Sequence, residues 1–350
     1  MIECIFTLDY EIYGNGSGAL TDLVYDPTER LCEIFQKWNA RFVNFVEAAE
    51  FEKIEAYATD PAIGMVRKQI RDLHRQGFEI GLHLHPQWSN ARYDNGQWNL
   101  DYSEYNLCTL PRPRIAEIVG NGLAYLRSVV GDARFTPLSF RAGNWLFQPT
   151  RAAAGVLAEH GIRIDSSVFK GGLQRNHRMD YRRAPKNEFY WRFEKDVNQA
   201  NPSGGWTEIP IYTEMVPFWR MLTAKRLAFK NSYGGANGPR PGGKLNRLLD
   251  FARLRYPLKL DFTRMTLPEL SAMMNRVIRE DHKQPGQYRP VVAIGHTKDL
   301  VDAQTVDDFL SFLRDNDIRV ATFESAYPKL SQRKAQSEAL RLSGASEVCK

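Results

Sequence analysis

Gly77-Phe78-Glu79-Ile80-Gly81-Leu82-His83-Leu84-His85-Pro86-Gln87-Trp88 holds two of the chain's seven histidines, two positions apart at the end of an apolar run. In an extended strand that spacing puts both imidazoles on one face and Leu82 and Leu84 on the other. Pro86 stops the strand, so both rings lie at its C-terminal end. In α/β folds that end is where sites are assembled. One histidine there reads as an ordinary polar strand end; two on one face beside a strand stop point to a ligand pair.

The same pattern recurs along the chain. Residues 3–12 alternate, with Cys4, Phe6, Leu8 and Tyr10 on one face and Ile5, Thr7, Asp9 and Glu11 on the other. This predicts a first strand with two carboxylates at its end, followed by the flexible loop Gly14-Asn15-Gly16-Ser17-Gly18. Helices are predicted over 27–37, 61–76 (Asp60 as N-cap, Gly77 as stop), 115–130, 149–160, 267–281 and 306–315. Strands are predicted over 41–46, 138–145, 162–167, 208–212, 291–294 and 318–322, and 93–113 reads as a polar, aromatic loop. The alternation argues for parallel strands with helical crossovers, in a barrel or an open sheet. Asp9 and Glu11, His83 and His85, Arg141, Asp165 and His296 each sit just past a strand, where a parallel barrel would bring them to one face.

Composition narrows the class. The chain has 350 residues, 43% of them hydrophobic and 25% charged, as in a soluble protein of enzyme size. No stretch approaches the ~18 apolar residues of a membrane span. Met1-Ile2-Glu3-Cys4-Ile5-Phe6 starts as a strand without a basic n-region, so no signal peptide is expected and the cytoplasm is the expected location. The four cysteines show no CxxC spacing and read as reduced thiols. The net charge of +6 is concentrated between Arg220 and Lys259, where Asp250 is the only acid. A solvated surface is the plain reading; a patch for an anionic partner, such as a diphosphate-linked substrate or an acidic membrane face, is the sharper one. No nucleic-acid reader motif accompanies it. Residues 171–290 are less regular, and 331–350 read as a polar tail.

The order of these motifs resembles the polysaccharide deacetylases of the NodB-homology group (carbohydrate esterase family 4), in particular the divergent members associated with surface-polysaccharide biosynthesis. The matching segments are Thr7-Leu8-Asp9-Tyr10-Glu11, Glu79-Ile80-Gly81-Leu82-His83-Leu84-His85-Pro86-Gln87, Arg141-Ala142-Gly143-Asn144-Trp145, Asp165-Ser166-Ser167 and Gly295-His296-Thr297. The resemblance implies a deformed parallel (β/α) barrel with fewer than eight strands, here over 1–330, with 171–290 as a long irregular insertion before the last motif. It also implies metal-assisted hydrolysis of an acetyl group on a sugar, with zinc the usual divalent ion. By the same resemblance Asp9 is the catalytic base and His296 the acid. Asp165 is expected to hydrogen-bond His296, Arg141 to hold Asp9, and Trp145 to help wall the site; Trp88 is a further substrate-binding candidate, and a core position is the plain reading of either Trp. A carboxylate beside an Arg should stay ionised, and a His beside an Asp should be better protonated near neutrality.

Two departures from the family pattern fall at the metal. The second of the family's two adjacent aspartates is replaced by Tyr10, with Glu11 on the Asp9 face as the natural substitute. The usual His-x-x-x-His would pair His83 with position 87, which is Gln87. Either His85 completes a Glu11, His83, His85 site with an open position, or Gln87 serves as a weaker, neutral oxygen ligand. The expected substrate is an acetylated sugar in nucleotide- or lipid-linked form. The alternatives are a catalytically altered carbohydrate-binding member and a deformylase or other C–N amide hydrolase on the same fold. A dinucleotide site at the glycine loop is disfavoured because the G-x-G-x-x-G spacing is missing and Asp9 and Glu11 would repel a pyrophosphate. No G-x-S-x-G elbow marks a serine hydrolase.

Overall fold

A computed structural model describes residues 1–217 and 255–330. Its frame is a parallel sheet of β1 (Ile2–Tyr10), β2 (Val43–Glu47), β3 (Glu79–Leu84), β4 (Ser139–Ala142), β5 (Ile164–Asp165), β6 (Trp206–Glu208), β7 (Arg289–His296) and β8 (Arg319–Ala321). The order across the sheet is β6-β5-β4-β3-β2-β1-β7, and β8 pairs with the first half of β1. The short strand Trp191–Phe193 adds to β6 as an antiparallel edge. The sheet curls until Ile211, just past β6, forms a parallel bridge to Val292 of β7. The expected α/β architecture with parallel strands therefore holds, but the sheet has nine strands, eight of them parallel, and not fewer than eight, because short segments such as Trp206–Glu208 and Arg319–Ala321 extend it at its margins. Trp206–Glu208 lies within 171–290, so this stretch contributes a strand to the sheet itself. The basic run 220–259 falls largely outside the described residues, as does the 331–350 tail.

The two faces of β1 explain how the sheet is held. Cys4, Phe6, Leu8 and Tyr10 are fully buried on the outer face, against helices. There Phe6 meets Phe35 of α1 (Asp26–Lys37) edge-on at 5.0 Å, and Phe35 meets Phe42 at 5.1 Å. Burying each such ring contributes roughly 1.5–3 kcal/mol. The opposite face carries Thr7 and Asp9, also buried, so the hollow of the sheet is lined with polar groups that must find partners.

One helix has no local signal in the sequence. After β2 the chain turns at once into α2 (Ala48–Tyr57), where neither a turn residue nor a cap motif announces a start. Glu47 caps it, its carboxylate accepting from the Glu50 amide. The helices α3 (Ile63–Arg75), α4 (Arg112–Val130), α5 (Thr150–Glu159), α6 (Leu267–Lys283) and α7 (Ala303–Asp315) agree with expectation to within a few residues. Asp60 does not cap α3; it accepts from the amides of Leu20 (2.8 Å) and Ala62 (2.9 Å) and so braces the turn before the helix. Gly77 ends α3 with a positive φ of 81°.

Candidate active site

The C-terminal ends of β1, β3, β4 and β7 bring Asp9, Glu11, His83, His85, Arg141 and His296 together, all of them buried. The β1–β7 register sets Asp9 directly beside His296, and the β3–β4 register sets His83 beside Arg141. The parallel pairing thus converts residues far apart in sequence into neighbours.

Arg141 is fully buried. Its Nη1 donates to Asp9 Oδ1 at 2.5 Å, Nη2 to Thr7 Oγ1 at 2.9 Å and Nε to the Ser166 carbonyl at 2.9 Å. The guanidinium also lies 4.4 Å from the Phe45 ring. Burial would raise the Asp9 pKa, but Arg141 and then His296 outweigh it and hold the carboxylate below its usual range. Asp9 Oδ2 lies 3.4 Å from Nε2 of His296. The contact expected between Arg141 and Asp9 is present.

Beside that pair, Glu11, His83 and His85 form a compact cluster whose donor atoms all lie within 4.8 Å of one another. Glu11 Oε2 is 3.3 Å from His83 Nε2 and 2.9 Å from His85 Nε2. His83 Nδ1 is held by the Arg141 carbonyl at 2.8 Å, which fixes the proton on Nδ1 and leaves the Nε2 lone pair facing the cluster. That Nε2 is buried without a hydrogen-bond partner. A buried, unsatisfied imidazole nitrogen aimed at a carboxylate and a second imidazole fits a divalent ion with nitrogen and oxygen ligands. Gln87 lies on the far side of His85, its amide 3.2 Å from Nδ1, with the Asn144 amide 3.3 Å away. Of the two ways to complete the cluster, the geometry favours His85, with Gln87 orienting its ring.

Several members of this network carry no readable signal in the sequence. Lys298 Nζ donates to Glu11 Oε1 at 2.7 Å and to the Ile12 carbonyl at 2.8 Å. Burial opposes ionisation of Glu11, yet Lys298 and His85 pull its pKa well below normal. Glu47 Oε1 accepts from the His85 amide at 2.6 Å, and Glu50 Oε1 from the Ile12 amide at 2.8 Å. The short helix α2 therefore ties down the chain on both sides of the cluster. Burial raises both carboxyls, Glu50 to about 8. A pair of glutamates around an unannounced helix start gives no motif to search for. Only the fold reveals their partners.

Three expectations need correction. Asp165 does not face His296; its carboxylate accepts from Ser167 Oγ at 2.7 Å and from the Ser167 amide at 3.1 Å, and it lies against Glu208. Besides Asp9, the carboxylate beside His296 is Asp299, on the Nδ1 side at 3.5 Å, itself held by Arg264 at 2.5 Å. Second, burial lowers the His296 pKa, and the pull of Asp9 and Asp299 does not fully offset it. Third, Trp88 is fully buried and packs edge-on to Trp98 at 5.0 Å, so it supports the site from behind. Trp145 is half-buried and lies at the site, its ring 6.1 Å from that of His296 and under the Lys259 ammonium at 3.0 Å.

The loop after β4 has little freedom to vary. A Cβ at Gly143 would come within 2.6 Å of the Leu84 carbonyl oxygen and 2.8 Å of the His85 ring. Asn144 and Trp145 both take left-handed backbone angles, φ 53° and 60°. Tyr181 steadies this bend by donating to the Trp145 carbonyl at 2.7 Å.

No family model matches the chain, and no curated protein matches it. Among solved structures, it is similar to a candidate polysaccharide deacetylase from Mycobacterium smegmatis, at 16% identity, over 95% of this chain and 91% of that one, with a TM-score of 0.52. It is also similar to the allantoinase PuuE, at 11% identity, 92% and 87% coverage and a TM-score of 0.50. A GH57 branching enzyme from Thermococcus kodakaraensis gives 12% identity, 93% and 71% coverage and a TM-score of 0.54. These likenesses show a fold shared with polysaccharide deacetylases, as the order of the motifs implies. The names span different reactions, so the chemistry has to be read from the site.

Proposed function

We propose that the protein is a metal-dependent hydrolase that removes an acyl group, acetyl above all, from an amino sugar or sugar precursor. The observation that carries this reading is the single cluster in which the Asp9–Arg141 pair and His296 adjoin Glu11, His83 and His85. Glu11 Oε2 and the Nε2 atoms of His83 and His85 would hold a divalent ion, for which zinc is the best match to the donor set. Such an ion, when bound, polarises an acyl carbonyl and lowers the pKa of a water.

The remaining work falls to the chain's own groups. Asp9, kept ionised by Arg141, takes the proton of the attacking water as its oxygen bonds to the acyl carbon. His296, in its protonated form, gives a proton to the leaving nitrogen as the C–N bond breaks. Acetate and a free amine result. Asp9 and Asp299 on either side of the ring stabilise the imidazolium, and burial makes it a stronger acid once formed. Trp145 closes one side against water.

The surface-polysaccharide setting and cytoplasmic location expected from the sequence belong to this proposal, as does the reading of 1–330 as one catalytic unit with an elaborated 171–290 stretch. Among the described residues no helix is long and apolar enough to cross a membrane. The test is acetate release from acetylated sugars by zinc-loaded protein. Asp9→Asn and His296→Ala should each abolish release while the far-UV spectrum stays native. Release that survives both substitutions would overturn the reading.

A further inference from the structure

One lysine of the basic stretch reaches the site. Lys259 ends the strand Arg255–Lys259, which pairs antiparallel with Thr213–Pro217. The chain just after it is fastened to β7, the strand that carries His296. The Leu260 amide donates to the Tyr212 carbonyl at 2.8 Å, the Ile294 amide to the Leu260 carbonyl at 2.9 Å, and the Phe262 amide to the Ile294 carbonyl at 2.9 Å. The approach is close: a Cβ on Gly295 would come within 2.6 Å of both the Phe262 ring and Thr263 Cγ2. The frame that places His296 therefore also places Lys259.

The ammonium has aromatic surroundings and no counter-ion. Nζ lies 3.0 Å from the centre of the Trp145 ring and 4.9 Å from that of Phe169. The same indole meets the His296 ring at 6.1 Å. The other cations around the cluster are each committed to a carboxylate: Arg141 to Asp9, Lys298 to Glu11 and Arg264 to Asp299. Among the described residues no carboxylate forms an ion pair with Lys259. Asp261, two residues away, instead accepts from the Thr263 hydroxyl at 2.8 Å and from the Thr263 and Arg264 amides at 3.2 Å. Burial pushes the Lys259 pKa down to about 7, against the pull of Asp261 and Asp9.

The aromatic faces favour a cation but do not supply the full opposite charge of an ion pair. A substrate oxyanion would supply it. Carboxylate or phosphate oxygens accept strongly from an ammonium, and the partly desolvated setting strengthens the attraction. Lys259 and Trp145 are both half-buried, so both are open to a molecule entering beside His296. A neutral acetylated sugar would leave the ammonium without a partner.

We propose that Lys259 is a specificity-determining residue that binds an anionic group, carboxylate or phosphate, carried on the acylated sugar, so that the preferred substrate is negatively charged. The inference rests on the proposed hydrolase reading and deepens it by naming the substrate class.

Calorimetry on the full, zinc-loaded chain compares N-acetylglucosamine with N-acetylmuramic acid, N-acetylgalactosaminuronic acid and the 1- and 6-phosphates of N-acetylglucosamine. At least one charged sugar should bind about tenfold or more tightly than the neutral one. The carboxylate and phosphate probes distinguish which group supplies the gain. Lys259→Met and the polar, uncharged Lys259→Gln should each erase it, and Lys259→Arg should keep most of it. No gain for any charged sugar, or a gain that persists in either uncharged variant once its far-UV spectrum is native, would overturn the assignment. Acetate release by the unmodified protein is scored separately. If no probe releases acetate while the Lys259-dependent gain persists, the hydrolase reading fails and the anion site stands; release without the gain means the reverse.

Discussion

Asp299 Oδ2 lies 3.5 Å from Nδ1 of His296, so the candidate acid takes its carboxylate neighbour from three residues along its own chain segment. Asp165, on a different strand, is occupied with Ser167 and Glu208. Because Asp299 raises the proton affinity of His296, Asp299→Asn should lower it further. The alkaline limb of the kcat/KM profile should then move to lower pH, with about a tenfold loss of rate for each pH unit the limb moves, where His296 is mostly deprotonated. Asp165→Asn should leave that limb in place. A pH–rate series on both variants decides between the two carboxylates.

Arg141 and Asp9 form a fully buried ion pair. Arg141→Met leaves Asp9 charged and without its main partner, which should cost about 3–5 kcal/mol of stability. The double variant Arg141→Met, Asp9→Asn removes both charges and should recover a large part of that loss. Urea unfolding of the four proteins measures the coupling.

Zinc added to metal-free protein should bind once per chain and raise the melting temperature, by the equivalent of about 2.7 kcal/mol at a hundredfold excess over Kd. His83→Ala should abolish the effect. Lys298 competes for Glu11 through its 2.7 Å contact. Lys298→Met should therefore tighten zinc binding, on the order of tenfold if the ammonium opposes the ion by about 1.4 kcal/mol. Competition with a chromophoric chelator reads both outcomes without any activity assay.

Glu79 begins β3 at the end of the sheet away from the site, accepting from Ser139 Oγ at 3.1 Å and the Glu324 amide at 2.9 Å. Burial raises its pKa to about 8. The folded state then holds its proton more tightly than the unfolded chain does. Stability contributed by the protonated form is complete below the unfolded value of ~4.3 and falls as pH rises towards 8. Glu79→Gln should flatten that slope, by on the order of a few kcal/mol across the window. Thermal unfolding between pH 5 and pH 8 provides the check.

Trp88 and Trp145 should behave oppositely. Trp88→Ala empties a fully buried position and should cost about 3–5 kcal/mol of stability. Trp145→Ala removes a half-buried wall beside His296 and should raise KM with a smaller stability loss. Denaturation and steady-state kinetics on each variant separate the roles.

Most of the frame was legible because its signals are local. The alternation in residues 3–12 and the apolar run before His83 each report a strand by themselves, and both strands are present. Asp9, Glu11, His83, His85, Arg141 and His296 could be singled out because each ends such a strand. Helix α2 escaped because it begins directly at a buried capping Glu47 with no turn residue to announce it. Asp299, Lys298 and Glu50 escaped for a different reason: an acid or lysine in a loop or on a helix looks like solvated surface until its partner is known.

The sequence by itself determined which faces of which strands are polar, since side-chain direction alternates with the backbone and needs no partner to be read. Only the tertiary structure decided which of those polar groups meet. Parallel register put Asp9 opposite His296 and His83 opposite Arg141, and burial then set the charge each one carries. Pairing and desolvation depend on distances between segments remote in the chain, and no local pattern of residues encodes them.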